Sequence, residues 1–285
     1  MKKRINVLGS MTTDVILYVE ALPARESDQN LRKQEIKIGG CAFHVANSLG
    51  SGLLYVPCGQ GIYADFVRKH LDLVKSSYRI KDVAEKNGVC YCIVERDGER
   101  SFLAYHGAEY KYTLDMLAEM PTCDVLYFDG ITMEEAQNEC IVTYLQEHPE
   151  ITPFFACSSR IEYVACLEKI LALSPILHMN LNEFYLLGNR IQLFDVMDDF
   201  EESLSQLYAL TNNLIIITAG KEGAYGYDGA LHFMPANKAE VYNTIGAGDT
   251  HAGMCLYGLQ NDFSIEQMLK AANEKAARKV SGLLD

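Results

Sequence analysis

No apolar run in this chain approaches the ~18 residues that a membrane-crossing helix needs. Basic charge is also scarce. Lys and Arg number 25 against 38 Asp and Glu, a formal charge of −13. That argues against a nucleic-acid surface, which requires a basic patch. Nine cysteines are scattered at 41, 58, 90, 92, 123, 140, 157, 166 and 255, with no C-x-x-C and no paired Cys/His spacing of a zinc site. Several lie inside apolar runs and read as reduced core residues of a cytosolic protein. Internal repeats and low-complexity linkers are absent, so a single domain over 1–285 is expected. Met1-Lys2-Lys3-Arg4 imitates the start of a signal peptide, but Asp14 interrupts the apolar stretch too early. Ile5 to Gly9 is better read as a first strand, and the cytoplasm is the expected location.

Hydrophobic residues make up 49% of the 285 positions and charged ones 22%, enough for a sizeable core. From residue 121 onward strands alternate with helices. Strands are expected at Val125–Phe128, Pro153–Cys157, Ile176–Met179 and Leu214–Ile217. Helices are expected at Met133–Gln146, Ile161–Leu173, Asn182–Leu187 and Met197–Leu210. Earlier in the chain, Leu53–Cys58 reads as a strand, and helices are expected at Cys41–Leu49 and Ile62–Val74. This alternation predicts an α/β fold with a mostly parallel sheet and helices on both faces. Two strand pairs stand outside it, at about 12–38 and 88–106, the second turning at Asp97-Gly98. Pairing in space, they would make a small lid. A further hairpin is expected around Tyr227-Asp228-Gly229. Ser264 with Gln267 caps a closing helix to about Val280.

Ligands of parallel sheets sit at the carboxyl ends of the strands. The residues there are Asp14, the turn Gly39-Gly40, Asn180 to Glu183, and Thr218-Ala219-Gly220-Lys221-Glu222-Gly223. The stretch Asn243-Thr244-Ile245-Gly246-Ala247-Gly248-Asp249 follows. Gly246 and Gly248 flank a small Ala at a helix start, where free amides and the helix dipole favour an anion. A carboxylate beside such a site is repelled by the anion unless it has a task, such as taking a proton from an attacking group. Alone, the stretch also reads as a Gly-rich turn with an Asp cap, and His44 as a structural histidine. Together the loops supply the positioning and charge neutralisation of phosphoryl transfer. Asp249 would be the general base, the amides of Gly246, Ala247 and Gly248 the anion hole, and Glu183 would act through Mg²⁺ or its waters.

These motifs resemble the PfkB family of carbohydrate kinases, of ribokinase-like fold. The family's D-T-x-G-A-G-D is matched by Asn243 to Asp249, its Gly-Gly motif by Gly39-Gly40, its N-x-x-E by Asn180 to Glu183, and its T-x-G-x-x-G loop by Thr218, Gly220 and Gly223. The resemblance implies a three-layer α/β/α domain with a small β-sheet lid that often also forms a homodimer interface. It implies an ATP-dependent kinase of a sugar-like small molecule. Asp14, Gly39, Gly40, His44, Ala108, Glu109 and Arg160 would contact substrate, and Asn180, Thr218, Gly220, Gly223 and Asn273 would hold ATP.

The chain also departs from the family pattern. The first motif Asp, which helps hold a monovalent cation, is Asn243 here and leaves that cation doubtful. The usual Asn after Gly-Gly is His44, and the usual Phe two positions beyond the base is His251. Of a D-x-N-x-R stretch only Arg160 remains. Two other functions stay open at this level. One is a nucleoside kinase of the same fold, with Tyr63 or Tyr105 under the base; the other is a non-catalytic nucleotide-binding protein.

Overall fold

The computed structural model describes residues 2–284, so the two ends of the expected domain lie outside the described residues. In chain order the strands are β1 (Ile5–Val7), β2 (Thr12–Tyr18), β3 (Lys33–Gly39), β4 (Leu53–Gln60), β5 (Ser77–Lys86), β6 (Val89–Val94), β7 (Arg100–Tyr105), β8 (Val125–Asp129), β9 (Thr152–Ala156), β10 (Ile176–Asn180), β11 (Ile215–Thr218), β12 (Gly223–Tyr227) and β13 (Leu231–Pro235). The helices are α1 (Cys41–Leu49), α2 (Ile62–Lys69), α3 (Leu114–Ala118), α4 (Gly130–Met133), α5 (Glu139–Glu147), α6 (Leu167–Leu171), α7 (Leu181–Arg190), α8 (Phe200–Thr211), α9 (Ala247–Gln260) and α10 (Ile265–Val280).

Nine strands form one sheet in the order β13-β12-β11-β10-β9-β8-β1-β4-β5. Every pairing from β11 to β5 is parallel, and the β12–β13 hairpin extends one edge antiparallel. The central strands are apolar on both faces because both faces are covered. In β8, Leu126 and Phe128 enter one core with α3, α5, α7 and α8, while Val125 and Tyr127 enter a second with α1, α2, α9 and α10. This is the expected α/β layering.

The second sheet has the order β3-β2-β6-β7. The two outlying strand pairs therefore do join in space. Their seam is parallel, running from Asp14 opposite Cys90 to Tyr18 opposite Val94. Ile16, Cys92 and Val94 make a small buried cluster on this lid, and Ile245 packs against it.

Four elements differ from the reading of the sequence, one being the helix expected at Ile62–Val74, which ends at Lys69 and is followed by a 3₁₀ turn at Leu71–Leu73. β5 was not anticipated. It is an edge strand, largely exposed and rich in charge (Arg79, Lys81, Asp82, Glu85, Lys86), so it lacks the apolar alternation that marks a buried strand. The expected helix at 133–146 is broken into α4, a 3₁₀ turn at Ala136–Asn138 and α5. Its break is held by the buried Asn138 amide, which donates to Tyr110 O and Thr132 O and accepts from Tyr112 N–H. The expected helix at 161–173 is likewise divided, into a 3₁₀ turn at Ile161–Tyr163 and α6. The Ser264–Gln267 capping box at the start of α10 is present as expected.

Candidate active site

Gly246 is the N-cap of α9; it is left-handed (φ 70°) and gives the helix no side-chain cap. Only a residue without Cβ adopts that conformation cheaply. A Cβ on Gly246 would also stand 3.2 Å from His44 Cγ, so the α1 histidine packs against the loop. A Cβ on Gly248 would meet nothing within 4 Å, so its backbone faces open space. The Ala247 N–H turns back to Thr244 O at 3.2 Å, which leaves the following amides of the first turn as the free donors.

Asp249 lies in that first turn. Burial pushes its carboxyl up to about 7, with the charge of Asp129 adding to the rise and a Cys41 hydrogen bond opposing it. Asp14, from β2, is raised to about 6 by burial, against a 2.7 Å hydrogen bond from Thr12 Oγ1. Gly39 has to lack a side chain, because a Cβ there would collide with the Asp14 carboxylate. Gly40 (φ 97°) likewise lets Ser10 O approach. Asp14 and His44 share one cleft with Asn243, Ile245 and Thr250. The structure thus brings together Asp14, Gly39, Gly40, His44 and the Gly246–Asp249 turn.

Glu183 and Asn180 form a capping box at the start of α7: Asn180 N–H donates to Glu183 Oε2 and Glu183 N–H to Asn180 Oδ1, both at 2.9 Å. Burial raises the Glu183 carboxyl to about 7. Thr218 ends β11 beside that cap, paired with Asn180 in register. Gly220 (φ 55°) has open space at its Cβ position, whereas Gly223 (φ 136°) is crossed closely by Met234 O of β13. Asn273 donates from its amide to Met234 O at 3.0 Å and Pro235 O at 3.2 Å, tying α10 to β13.

Other candidates have structural partners. Ala108 is fully buried. Glu109, also fully buried, accepts from Gly88 N–H at 2.8 Å and Gly107 N–H at 3.1 Å, at the root of the lid. Arg160 is held by the Glu134 carboxylate, with its Nε 2.9 Å from Oε2, and lies over the Tyr163 ring. Tyr63 meets Tyr91 hydroxyl to hydroxyl at 3.1 Å, and Tyr105 is 70% exposed. Neither tyrosine lines the cleft that holds Asp14.

Two residues of this region escaped the reading of the sequence. Asp129 ends β8 and is 3% exposed. Its Oδ1 accepts from Thr132 N–H at 2.8 Å, while Oδ2 is buried without a partner. Burial raises its carboxyl to about 6. A Cβ on Gly9 would come within 2.6 Å of that free oxygen. The signal was present, an Asp at the carboxyl end of a buried strand, but it also fitted a helix cap. The second is Arg100 of β7, whose Nη1 donates to Thr244 Oγ1 at 2.8 Å and whose Nε is buried without a partner.

Comparison with known proteins decides the family. The profile described as "pfkB family carbohydrate kinase" matches residues 2–282. The chain belongs to the PfkB family of carbohydrate kinases. It is 30% identical over 288 residues to an Escherichia coli (strain K12) protein named "Uncharacterized sugar kinase YegV", a match covering 97% of this chain and 88% of that protein. A shorter match, 39% identical over 95 residues, reaches the 5-dehydro-2-deoxygluconokinase of Bacillus licheniformis, covering 31% of this chain and 29% of that one. Among solved structures, the ribokinase of Thermotoga maritima superposes with a TM-score of 0.83 at 18% identity, covering 98% of this chain and 93% of that one. The ribokinase of Cryptococcus neoformans in complex with ADP gives 0.80 at 20% identity, covering 99% and 94%. At these identities the superpositions establish the ribokinase-like fold. The PfkB chain is thus a carbohydrate kinase, and no helix among its described residues is long and apolar enough to cross a membrane.

Proposed function

We propose that this PfkB member transfers the γ-phosphoryl group of ATP to a hydroxyl of a sugar or sugar derivative. The carrying observation is the Asp249 carboxyl, raised to about 7 in the first turn of α9, beside the open backbone of Gly248. A base with its pKa near the working pH both exists ionised and accepts a proton well. The acceptor hydroxyl is oriented by Asp14, by His44 and by the free oxygen of Asp129. As its oxygen bonds to the γ-phosphorus, its proton passes to Asp249, and the bond from phosphorus to the ADP oxygen breaks. The free amides of the α9 first turn take the negative charge on the transferring group.

ATP would lie along Asn180, Thr218, Gly220 and Gly223, with Asn273 fixing the β13 edge. ADP bound to a neighbour of the same fold supports this nucleotide. Mg²⁺, a hard ion, would neutralise phosphate charge. Glu183 fits it through water, since Oε2 is engaged by Asn180 N–H. We read residues 1–285 as one domain, acting in the cytoplasm on a small molecule. Exposed Ile36, Leu103 and Tyr105 on the lid support a homodimer through it.

The test is ADP release with Mg-ATP across a panel of sugars, sugar acids and nucleosides. Turnover on a sugar or sugar acid that falls with Asp249→Asn supports the reading. Turnover unchanged in Asp249→Asn, or none with any sugar, overturns it.

A further inference from the structure

Behind the α9 turn, three metal-ligating side chains meet in the dry core. His178 of β10 and His251 and Cys255 of α9 are 5%, 2% and 0% exposed. His178 Nε2 lies 2.9 Å from His251 Nδ1, and Cys255 Sγ lies 3.5 Å from that same nitrogen. All three ligand atoms fall within 4.8 Å of one another, the one such group of His, Cys and carboxylates among the described residues. His251 and Cys255 are one helical turn apart and so share a face of α9. Their placement opposite β10 joins a helix to a strand through side chains alone. Burial lowers the pKa of both imidazoles, His178 well below its usual value and His251 to about 4, so both rings are neutral, the ligating form. The Asn273 side chain of α10 is the polar group that reaches the His251 ring, and it opposes the fall in that ring's pKa.

The donor set selects the ion. One thiolate and two imidazoles favour thiophilic ions over Mg²⁺ or Ca²⁺. Their total charge is −1. A monovalent cation makes the centre neutral, while a divalent one leaves a net charge in an apolar core, where unpaired charge is costly. Zn²⁺ also asks for four ligands. The group supplies three, and the Phe154 ring is stacked on His178 at 6.1 Å between centroids.

We propose that His178, His251 and Cys255 form a binding site for a monovalent thiophilic ion, Cu⁺, independent of the phosphoryl-transfer reaction. On loading, Cu⁺ bonds to His178 Nε2, His251 Nδ1 and Cys255 Sγ. The thiol proton leaves to solvent, and the proton shared between the two rings moves to a nitrogen that faces away from the ion. One proton is released per ion, and no redox change occurs. With metal–nitrogen bonds of ~2.0 Å the two facing nitrogens separate by roughly half an ångström. The loaded centre would clamp β10 to α9 two residues beyond Asp249.

Anaerobic titration of the full-length protein with Cu⁺ against a chromophoric chelator tests this, with X-ray absorption at the copper edge on the loaded sample. Because Cys41, Cys90 and Cys140 are partly exposed and could also take copper, the readout is the difference from Cys255→Ala and from His251→Phe. The expected result is one tight ion per chain with one sulfur and two imidazole nitrogens around copper. That ion should be lost, or held ~10-fold or more weakly, in both variants. Its loading should also raise Tm only in the parent. If one variant does not fold, the other with the absorption spectrum still decides. Copper uptake equal in parent and variants, a sulfur-only copper shell, or one tight Zn²⁺ in place of Cu⁺ would each overturn the proposal.

Discussion

The Arg100 guanidinium, on the last strand of the lid, donates to the Thr244 hydroxyl at 2.8 Å, two residues ahead of Gly246. Beside this contact Ile245 is seated on Ile16, Cys92 and Val94. The lid is thereby held onto the loop that opens α9. A charge-assisted hydrogen bond of this kind contributes ~1.5–3 kcal/mol at most, less where water reaches it. Arg100→Ala is expected to raise KM for the acceptor by roughly 3–10-fold while lowering kcat less. Steady-state kinetics measures both. An unchanged KM would show that the latch plays no part in holding substrate.

The pH–rate profile follows from the raised carboxyl of Asp249. The base has to be ionised to accept a proton, and its folded-state pKa is about 7. The activity kcat/KM is therefore expected to rise about tenfold per pH unit below that value and to level above it. A profile already flat from pH 5 upward would place the controlling group elsewhere.

Asp249→Asn is expected to lower kcat by on the order of 10²–10⁴-fold. It should also stabilise the fold. In the unfolded chain this carboxyl titrates at its ordinary 3.8, and in the folded protein near 7. Between those values the folded state binds more protons, so this group's contribution to stability falls as pH rises through the window. Asn carries no charge to bury. Its stabilisation should be ~1–3 kcal/mol at pH 8 and smaller at pH 5. Thermal melts of both proteins at the two pH values measure this, and equal gains at both would contradict it.

Gly39→Ala places a methyl group where the Asp14 carboxylate lies. The expected outcome is a ~10–100-fold loss of kcat/KM for the acceptor, with nucleotide affinity retained. Isothermal titration with a non-hydrolysable nucleotide, beside acceptor kinetics, separates the two. A matching loss of nucleotide affinity would mean that the whole site had collapsed.

The central sheet was legible because its strands are continuous apolar runs, of which Ile215-Ile216-Ile217 is the clearest. Gly39-Gly40 and Gly246 to Asp249 were legible because backbone approach and left-handed turns need glycine. β5 was not, since a solvated edge strand has no pattern to display. Asp129 was overlooked because capping α4 through Thr132 N–H already explains an Asp at that position. Its other oxygen is left unpartnered only by the folded surroundings, which no local spacing reveals. Arg100 was hidden for another reason. It lies 144 residues from Thr244, and no local spacing announces a contact that the closure of two sheets creates.

The parallel seam of β2 with β6 has a consequence for assembly. Its strands are separated in sequence by β3, α1, β4, α2 and β5. The hairpin of β6 and β7 can close by itself, but it has no partner until β1, β4 and β5 have aligned in the large sheet and delivered it beside β2. Closing so long an excursion is entropically slow. In hydrogen exchange during refolding, amides along the β2–β6 seam should gain protection after those of β8 to β11. That order would make the lid a late product of folding, formed only on the body that carries it.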